Sequence, residues 1–132
     1  MTERRACCGC GQLTALCTGE PVRVSICHCH ACQRRTGSVF GVQARFPRRC
    51  VVIEGRSTSW ARTGDSGGKV TFHFCPTCAA IVWYELDGLP DVVAIPVGAF
   101  ADATFPPPHV AVYEARRHPW VATPGSVLEH HE

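Results

Sequence analysis

The feature that most restricts this chain is a set of seven cysteines in three short motifs. Cys8 and Cys10 form a C-x-C, Cys27, Cys29 and Cys32 a C-x-C-x-x-C, and Cys75 and Cys78 a C-x-x-C. Thiols two residues apart are badly placed to bridge each other. On extended backbone they point to one face, where a single ion can take both. With ten cysteines in 132 residues, this clustering reads as metal chemistry rather than a disulfide framework. Seven ligands divide as four plus three. Two pairs can close a tetrahedral structural site, and the triad can hold a second ion with one position free for water or substrate. Spacing alone leaves the partition open, because Cys29 and Cys32 could instead join Cys75 and Cys78. Of the remaining thiols, Cys17 ends an apolar stretch and is expected in the core. Cys7 could replace Cys8 as a ligand, and Cys50 is left over.

A chain of this length is expected to form one domain, over residues 1–123. Hydrophobic residues at 45% and charged residues at 18% place it among globular rather than disordered chains. No apolar run approaches the ~20 residues of a membrane-spanning helix. Met1 to Arg5 leads into no hydrophobic stretch, so no signal peptide is expected and the cytoplasm is the expected compartment. Residues 124–132, with "LEHH" at 128–131, resemble an expression-tag scar and are set aside as a tail.

Period-two patterns indicate a mainly β fold. Val22, Val24 and Ile26 alternate with Arg23 and Ser25; Phe40, Val42, Ala44 and Phe46 share one face; Val70, Phe72 and Phe74 alternate with Thr71 and His73. These are expected to be half-buried strands. Further strands are expected at 13–17, 51–54, 58–62, 80–86, 92–95 and 109–114. Residues 64–68 (GDSGG) read as a turn or flexible loop, and Asp87-Gly88 as a hairpin connection. One short helix is expected at about 30–36, stopped near Gly37.

The order of the cysteine motifs, within "CCGCG" (7–11), "CHCHACQRRTGS" (27–38) and "FHFCPTC" (72–78), resembles the glutathione-dependent formaldehyde-activating enzyme family, which includes centromere protein V. "VGAF" (97–100), "FPPPHV" (105–110) and "PW" (119–120) fit the same family, so the resemblance spans nearly the whole chain in order. It implies a β-tent zinc fold of antiparallel strands with a short helix near the second cysteine motif. It also implies two zinc ions: a structural one on Cys8, Cys10, Cys75 and Cys78, and a catalytic one on Cys27, Cys29 and Cys32. One departure is visible. The family usually has glycine after its last C-x-x-C, where this chain has Ala79, and this bears on the turn more than on the metal.

Several neighbours of the motifs are candidates for lesser roles. His28 lies between cysteines that share a face, so it should point away from their metal. His30 begins the turn to Cys32 and is either a surface residue or a fourth ligand or proton carrier. His73 is expected to face solvent or a cleft. His109 matches a family position and is a candidate pocket residue. Arg34 and Arg35 follow the triad and could recognise a carboxylate bidentately, and glutathione carries two. "RFPRR" (45–49) and "EARRH" (114–118) raise the question of nucleic acid. Two zinc ions and seven thiolates would move the formal charge from +2 to about −1, which leaves little of the electrostatic footprint of a nucleic-acid binder beyond a local basic patch.

Three thiolates donate strongly, so their metal is expected to be a mild Lewis acid, better suited to binding an incoming thiol as thiolate than to activating water. The resemblance implies the matching reaction, addition of a small thiol such as glutathione to an aldehyde such as formaldehyde, catalysed by a carbon–sulfur lyase. The alternative is a non-catalytic zinc module that binds protein or nucleic acid. An open triad beside a pocket favours the enzyme; a capped triad beneath a broad basic or apolar face favours the module. No membrane partner is expected, and a homo-oligomer is left open.

Overall fold

The computed structural model covers residues 1–132 and is built almost entirely from strands. In chain order they are β1 (Glu3–Cys7), β2 (Thr14–Thr18), β3 (Arg23–Cys27), β4 (Gly41–Pro47), β5 (Val51–Glu54), β6 (Thr58–Thr63), β7 (Lys69–Phe74), β8 (Ile81–Leu86), β9 (Val92–Pro96), β10 (Val110–Val112) and β11 (Glu129–His130). The single α-helix, α1 (His30–Thr36), connects β3 to β4. It ends where expected: Gly37 takes φ +73 and its N–H caps the Gln33 carbonyl, a left-handed stop that glycine adopts without strain.

Two sheets form. A small one has the order β1-β2-β5, and a large one the order β11-β10-β3-β4-β9-β8-β7-β6. All pairings are antiparallel except those of β10, which runs parallel to both β3 and β11. The parallel pairing follows from chain path, because β10 arrives through the irregular segment 101–109 rather than through a hairpin. Residues 126–131, set aside above, dock on this edge. Val127 is buried, the Ser126 hydroxyl donates to the Pro108 carbonyl at 2.7 Å, and β11 extends the sheet.

The core lies between the small sheet and one face of the large one. Ala6, Leu13, Ala15 and Cys17 meet Val24, Ala44, Phe46, Val93 and Ile95 there, and Phe100 and Phe105 stack at 4.6 Å beside them. Cys17 is fully buried, as expected. Burying side chains such as Phe46, Leu13 and Ile95 stabilises the fold by about 1.5–3 kcal/mol each.

The opposite face of the large sheet is covered too, and here β3 departs from the half-buried expectation. Val24, Ser25, Ile26 and Cys27 are all buried, whereas Val22 lies outside the strand and is exposed. Alternation of residue type marks two different environments on this strand, not an inside and an outside. No helix is long and apolar enough to cross a membrane.

Candidate functional site

The seven motif cysteines gather into two clusters, Cys8 with Cys10, Cys75 and Cys78, and Cys27 with Cys29 and Cys32. Within each, the sulfurs lie within 4.8 Å of one another. A tetrahedral ion with bonds of about 2.3 Å to sulfur has sulfur–sulfur edges of about 3.8 Å. The Cys8–Cys10 and Cys10–Cys75 separations are both 3.7 Å. Both clusters could therefore hold a metal ion, and the four-plus-three partition is the one the fold makes. Cys7, the alternative to Cys8, is exposed on β1 and takes no part. Cys29 and Cys32 do not join Cys75 and Cys78.

The four-cysteine cluster sits where the turn after β1 meets the turn between β7 and β8. The Leu13 amide donates to Cys8 Sγ at 3.3 Å, the Thr77 amide to Cys75 Sγ at 3.4 Å, and Gln12 Nε2 to Cys75 Sγ at 3.0 Å. Burial opposes a charge on Cys75, yet amides of Cys78 and Thr77 together with Gln12 bring this thiol down to about 5. Gln12 also grips Arg56 in both directions, accepting from its amide and donating to its carbonyl. Ala79 keeps the turn that glycine usually makes: it adopts φ +68, and its N–H donates to the Cys75 carbonyl at 2.8 Å. The departure from glycine leaves the turn intact at the cost of a left-handed alanine.

The triad is assembled locally. Cys27 ends β3, Cys29 is the N-cap of α1 and accepts from the Cys32 amide at 3.3 Å, and Cys32 is the one buried residue of the helix. Arg35, one turn on, reaches back with Nη2 3.6 Å from Cys32 Sγ. The hydrogen bond from Cys27 is the main influence that brings the Cys32 thiol down to about 5; burial opposes it and the Arg35 charge assists. The same hydrogen bond pushes Cys27 up. One proton leaves this pair easily and the next with difficulty, and a bound cation would relieve the conflict. Gly41 on β4 makes room, since a Cβ there would lie 3.0 Å from Arg35 Nη2 and 3.6 Å from Cys32 Sγ.

All three triad cysteines line a cleft of about 400 Å³ on the face of the large sheet that is turned away from the core. Its floor includes Phe72, Tyr84 and Ala94, three neighbours on adjacent strands, and Arg35 lies over both rings at 5.2 and 5.5 Å. Arg23, Arg45, Arg62 and Lys69 add four further cations, against the acidic Asp65 and Asp87. The tip of the β6–β7 hairpin, Gly64 to Gly68, forms one wall, and Asp65 there accepts from Arg116 Nη1 at 2.6 Å. Arg116 packs over Tyr113, which holds φ +55 beside the triad. A bulky residue in that conformation is strained and held by its surroundings.

The residues singled out by sequence divide. Arg35 is in the cleft, but Arg34 is exposed and absent from its lining. His109 is also exposed and outside it; its backbone serves the sheet edge, bonding Val24, Leu128 and Glu129. Neither side chain is part of the cleft wall. His28 is outside the triad's ligand cluster and outside the cleft lining, and it is fully buried, edge-on to Phe40, with no hydrogen-bond partner on either ring nitrogen. His30 is exposed and does not complete the triad. His73 stacks on Trp83 at 3.8 Å and bonds Glu85 at 2.7 Å. Sequence reasoning missed Arg23, Arg45, Tyr84 and Tyr113. A signal for the first was present: Arg23, Ser25 and Cys27 share one face of β3 by their spacing of two.

The sequence model of a family described as "Glutathione-dependent formaldehyde-activating enzyme" matches residues 3–116. No curated protein matches the chain significantly. Among solved structures, the crystal structure of a Rhodobacter sphaeroides protein superposes with a TM-score of 0.57 at 18% identity. The superposition covers 78% of this chain and 91% of that one, a likeness of fold alone.

Proposed function

The chain belongs to the glutathione-dependent formaldehyde-activating enzyme family, and from that premise we propose that it is a zinc-dependent carbon–sulfur lyase acting on adducts of a small thiol and an aldehyde. The observation that supports this reading best is that the triad lines the cleft of about 400 Å³, and none of Cys8, Cys10, Cys75 and Cys78 does. In this proposal the four-cysteine cluster holds a structural zinc, and Cys27, Cys29 and Cys32 hold a catalytic one.

A zinc ion on the triad would supply a position at which an incoming thiol binds as thiolate. Cys27, Cys29 and Cys32 would hold the ion at the cleft wall, and Arg35 places positive charge beside them. Tyr84 and Phe72 form an apolar floor for the carbon substrate. Burial pushes the Tyr84 phenol up, so it stays protonated and keeps an O–H to donate. The Asp65–Arg116 contact holds the hairpin tip against the cleft and limits the entry of bulk water. In the synthetic direction the thiol S–H bond breaks and its proton leaves, the sulfur forms a bond to the aldehyde carbon, the C=O π pair moves to oxygen, and oxygen takes one proton, so none is consumed overall. The reverse direction breaks the same C–S bond. The five cations of the cleft suit an acidic thiol such as glutathione.

The test is an assay of S-(hydroxymethyl)glutathione formation from glutathione and formaldehyde with metal-loaded protein, with Cys29→Ser as the control. Acceleration over the uncatalysed reaction that vanishes in the variant supports the lyase. No acceleration by fully loaded protein, with this pair or with other small thiols and aldehydes, would sink it and favour a binding module.

A further inference from the structure

Beyond the triad, the face of β3 that carries Cys27 continues through Ser25 to Arg23. The partners of these residues on β4 are Gly41, Gln43 and Arg45. Ser25, Gln43, Arg23 and Arg45 all line the cleft. Its floor therefore changes character with distance, from thiols through a hydroxyl and an amide to two guanidinium groups. Four residues of strand separate Cys27 from Arg23, roughly 13 Å. Long arginine side chains shorten that gap to about two or three extended residues.

The polar groups along this floor are not matched by neighbouring protein groups. Arg23 and Arg45 stand directly opposite each other across an antiparallel pair, an arrangement of like charges that is destabilising. Burial and the charge of Arg23 both lower the proton affinity of Arg45. Neither arginine has an ion-pair partner: Asp65 is engaged by Arg116, and Glu129, which feels Arg23, bonds His131. Arg23 Nε is buried with no hydrogen-bond partner at all. In the middle of the floor, Gln43 donates to Ser25 Oγ at 2.8 Å, leaving its own Oε1 buried and unpartnered. A buried polar group without a partner is costly, so the Arg23 Nε donor and the Gln43 Oε1 acceptor on one face, with the unpaired charge of Arg45 beside them, imply a ligand that supplies their complements.

We infer that Arg23 and Arg45 form a carboxylate-binding subsite for the substrate, with Gln43 accepting from an N–H of the ligand between that carboxylate and its thiol. This rests on the lyase reading for its orientation, thiol at the triad and carboxylate at the arginines. A carboxylate accepts two hydrogen bonds from a guanidinium fork and cancels the repulsion between the pair. The subsite makes the cleft select acidic thiols of peptide size over neutral ones.

Calorimetric titration with S-methylglutathione, whose sulfur is blocked, tests the subsite without any turnover. Wild-type protein should bind this acid at least about tenfold more tightly than its diethyl ester, the scale of one charge-assisted hydrogen bond. In Arg23→Gln and Arg45→Gln that preference should collapse toward one. Arg45→Lys, which keeps the charge but not the fork, should retain part of it and covers the case in which a glutamine variant fails to fold. An ester bound as tightly as the acid, a preference that survives in both glutamine variants, or no binding of either compound would overturn the subsite. If the acid binds in this arginine-dependent way but no thiol–aldehyde pair is turned over, the subsite stands and the lyase reading falls. If acidic and neutral thiols are turned over alike, the lyase stands and the subsite falls.

Discussion

Cys10 Sγ and Cys75 Sγ lie 3.7 Å apart although 65 residues separate them in the chain. The contact ties the turn after β1 in the small sheet to the β7–β8 turn of the large one, beside the Gln12–Cys75 hydrogen bond. The bond network around Gln12 extends the tie to Arg56, just beyond β5. The triad by contrast spans six residues of sequence and closes only around its own helix cap. This difference in reach underlies the first three predictions.

Cys75→Ser should give insoluble or unfolded protein. A structural zinc contributes ~10 kcal/mol or more to small zinc domains, which exceeds the usual net stability of a domain. Circular dichroism with a thermal melt checks it. A soluble variant with an unchanged, cooperative melt would contradict the structural role of this cluster.

Cys29→Ser should remove turnover by orders of magnitude while the fold survives. It deletes a sulfur of the triad and leaves the four-cysteine cluster untouched. Losing an ion that closes only a short loop costs little in chain entropy. A melt, a metal count and the thiol–formaldehyde assay on one sample decide the matter, and unfolding comparable to Cys75→Ser would make the triad structural.

Fully reduced protein prepared without chelator should carry two zinc ions per chain, and a mild chelator should remove one of them first. The triad provides three protein ligands and opens on the cleft, whereas the other cluster provides four. Metal analysis during stepwise chelation, followed by a melt, should find one ion lost with the fold retained. One ion per chain in undisturbed, reduced protein would rule out the four-plus-three loading.

Gly55→Ala should destabilise the protein by more than about 1 kcal/mol. Gly55 holds φ +100, and a Cβ there would lie 2.0 Å from the Gln12 carbonyl oxygen. The backbone must shift, and with it the Gln12 contact to Cys75. Denaturant titration measures the loss, and faster metal release from the four-cysteine cluster should accompany it.

Acid should loosen the wall of the cleft formed by residues 64–68. The hydrogen bond and charge of Arg116 hold the Asp65 carboxyl below its usual range, with Arg62 and His30 contributing in the same direction. A lowered folded value means that the contact contributes above the unfolded carboxylate range and is lost as pH falls through the folded value. Hydrogen exchange in 64–68, corrected for the intrinsic rate, should be steady from neutral pH to about 5 and rise below about 4. Asp65→Asn should show the raised exchange at neutral pH, and identical exchange in variant and wild type would refute the role.

Much of this molecule is legible from local spacing. The alternation in 69–74 and 41–47, the helix at 30–36 with its glycine stop, and the three cysteine motifs all depend on neighbours within a turn or a strand, where period two or 3.6 dictates which side chains share a face. What spacing cannot state is which faces meet. The choice of Cys8 and Cys10 as partners for Cys75 and Cys78 came from the meeting of two distant turns. The burial of Ser25 and His28 came from β3 being covered on both sides. Arg23 and Arg45 read in the sequence as the polar, outward half of two amphipathic strands; long-range pairing made that half the floor of a cleft. His109 and Arg34 lie outside the cleft for the same reason in reverse: proximity in sequence to a motif brings a side chain into the cleft only if the backbone turns it that way, and here the β10 edge and α1 leave both exposed.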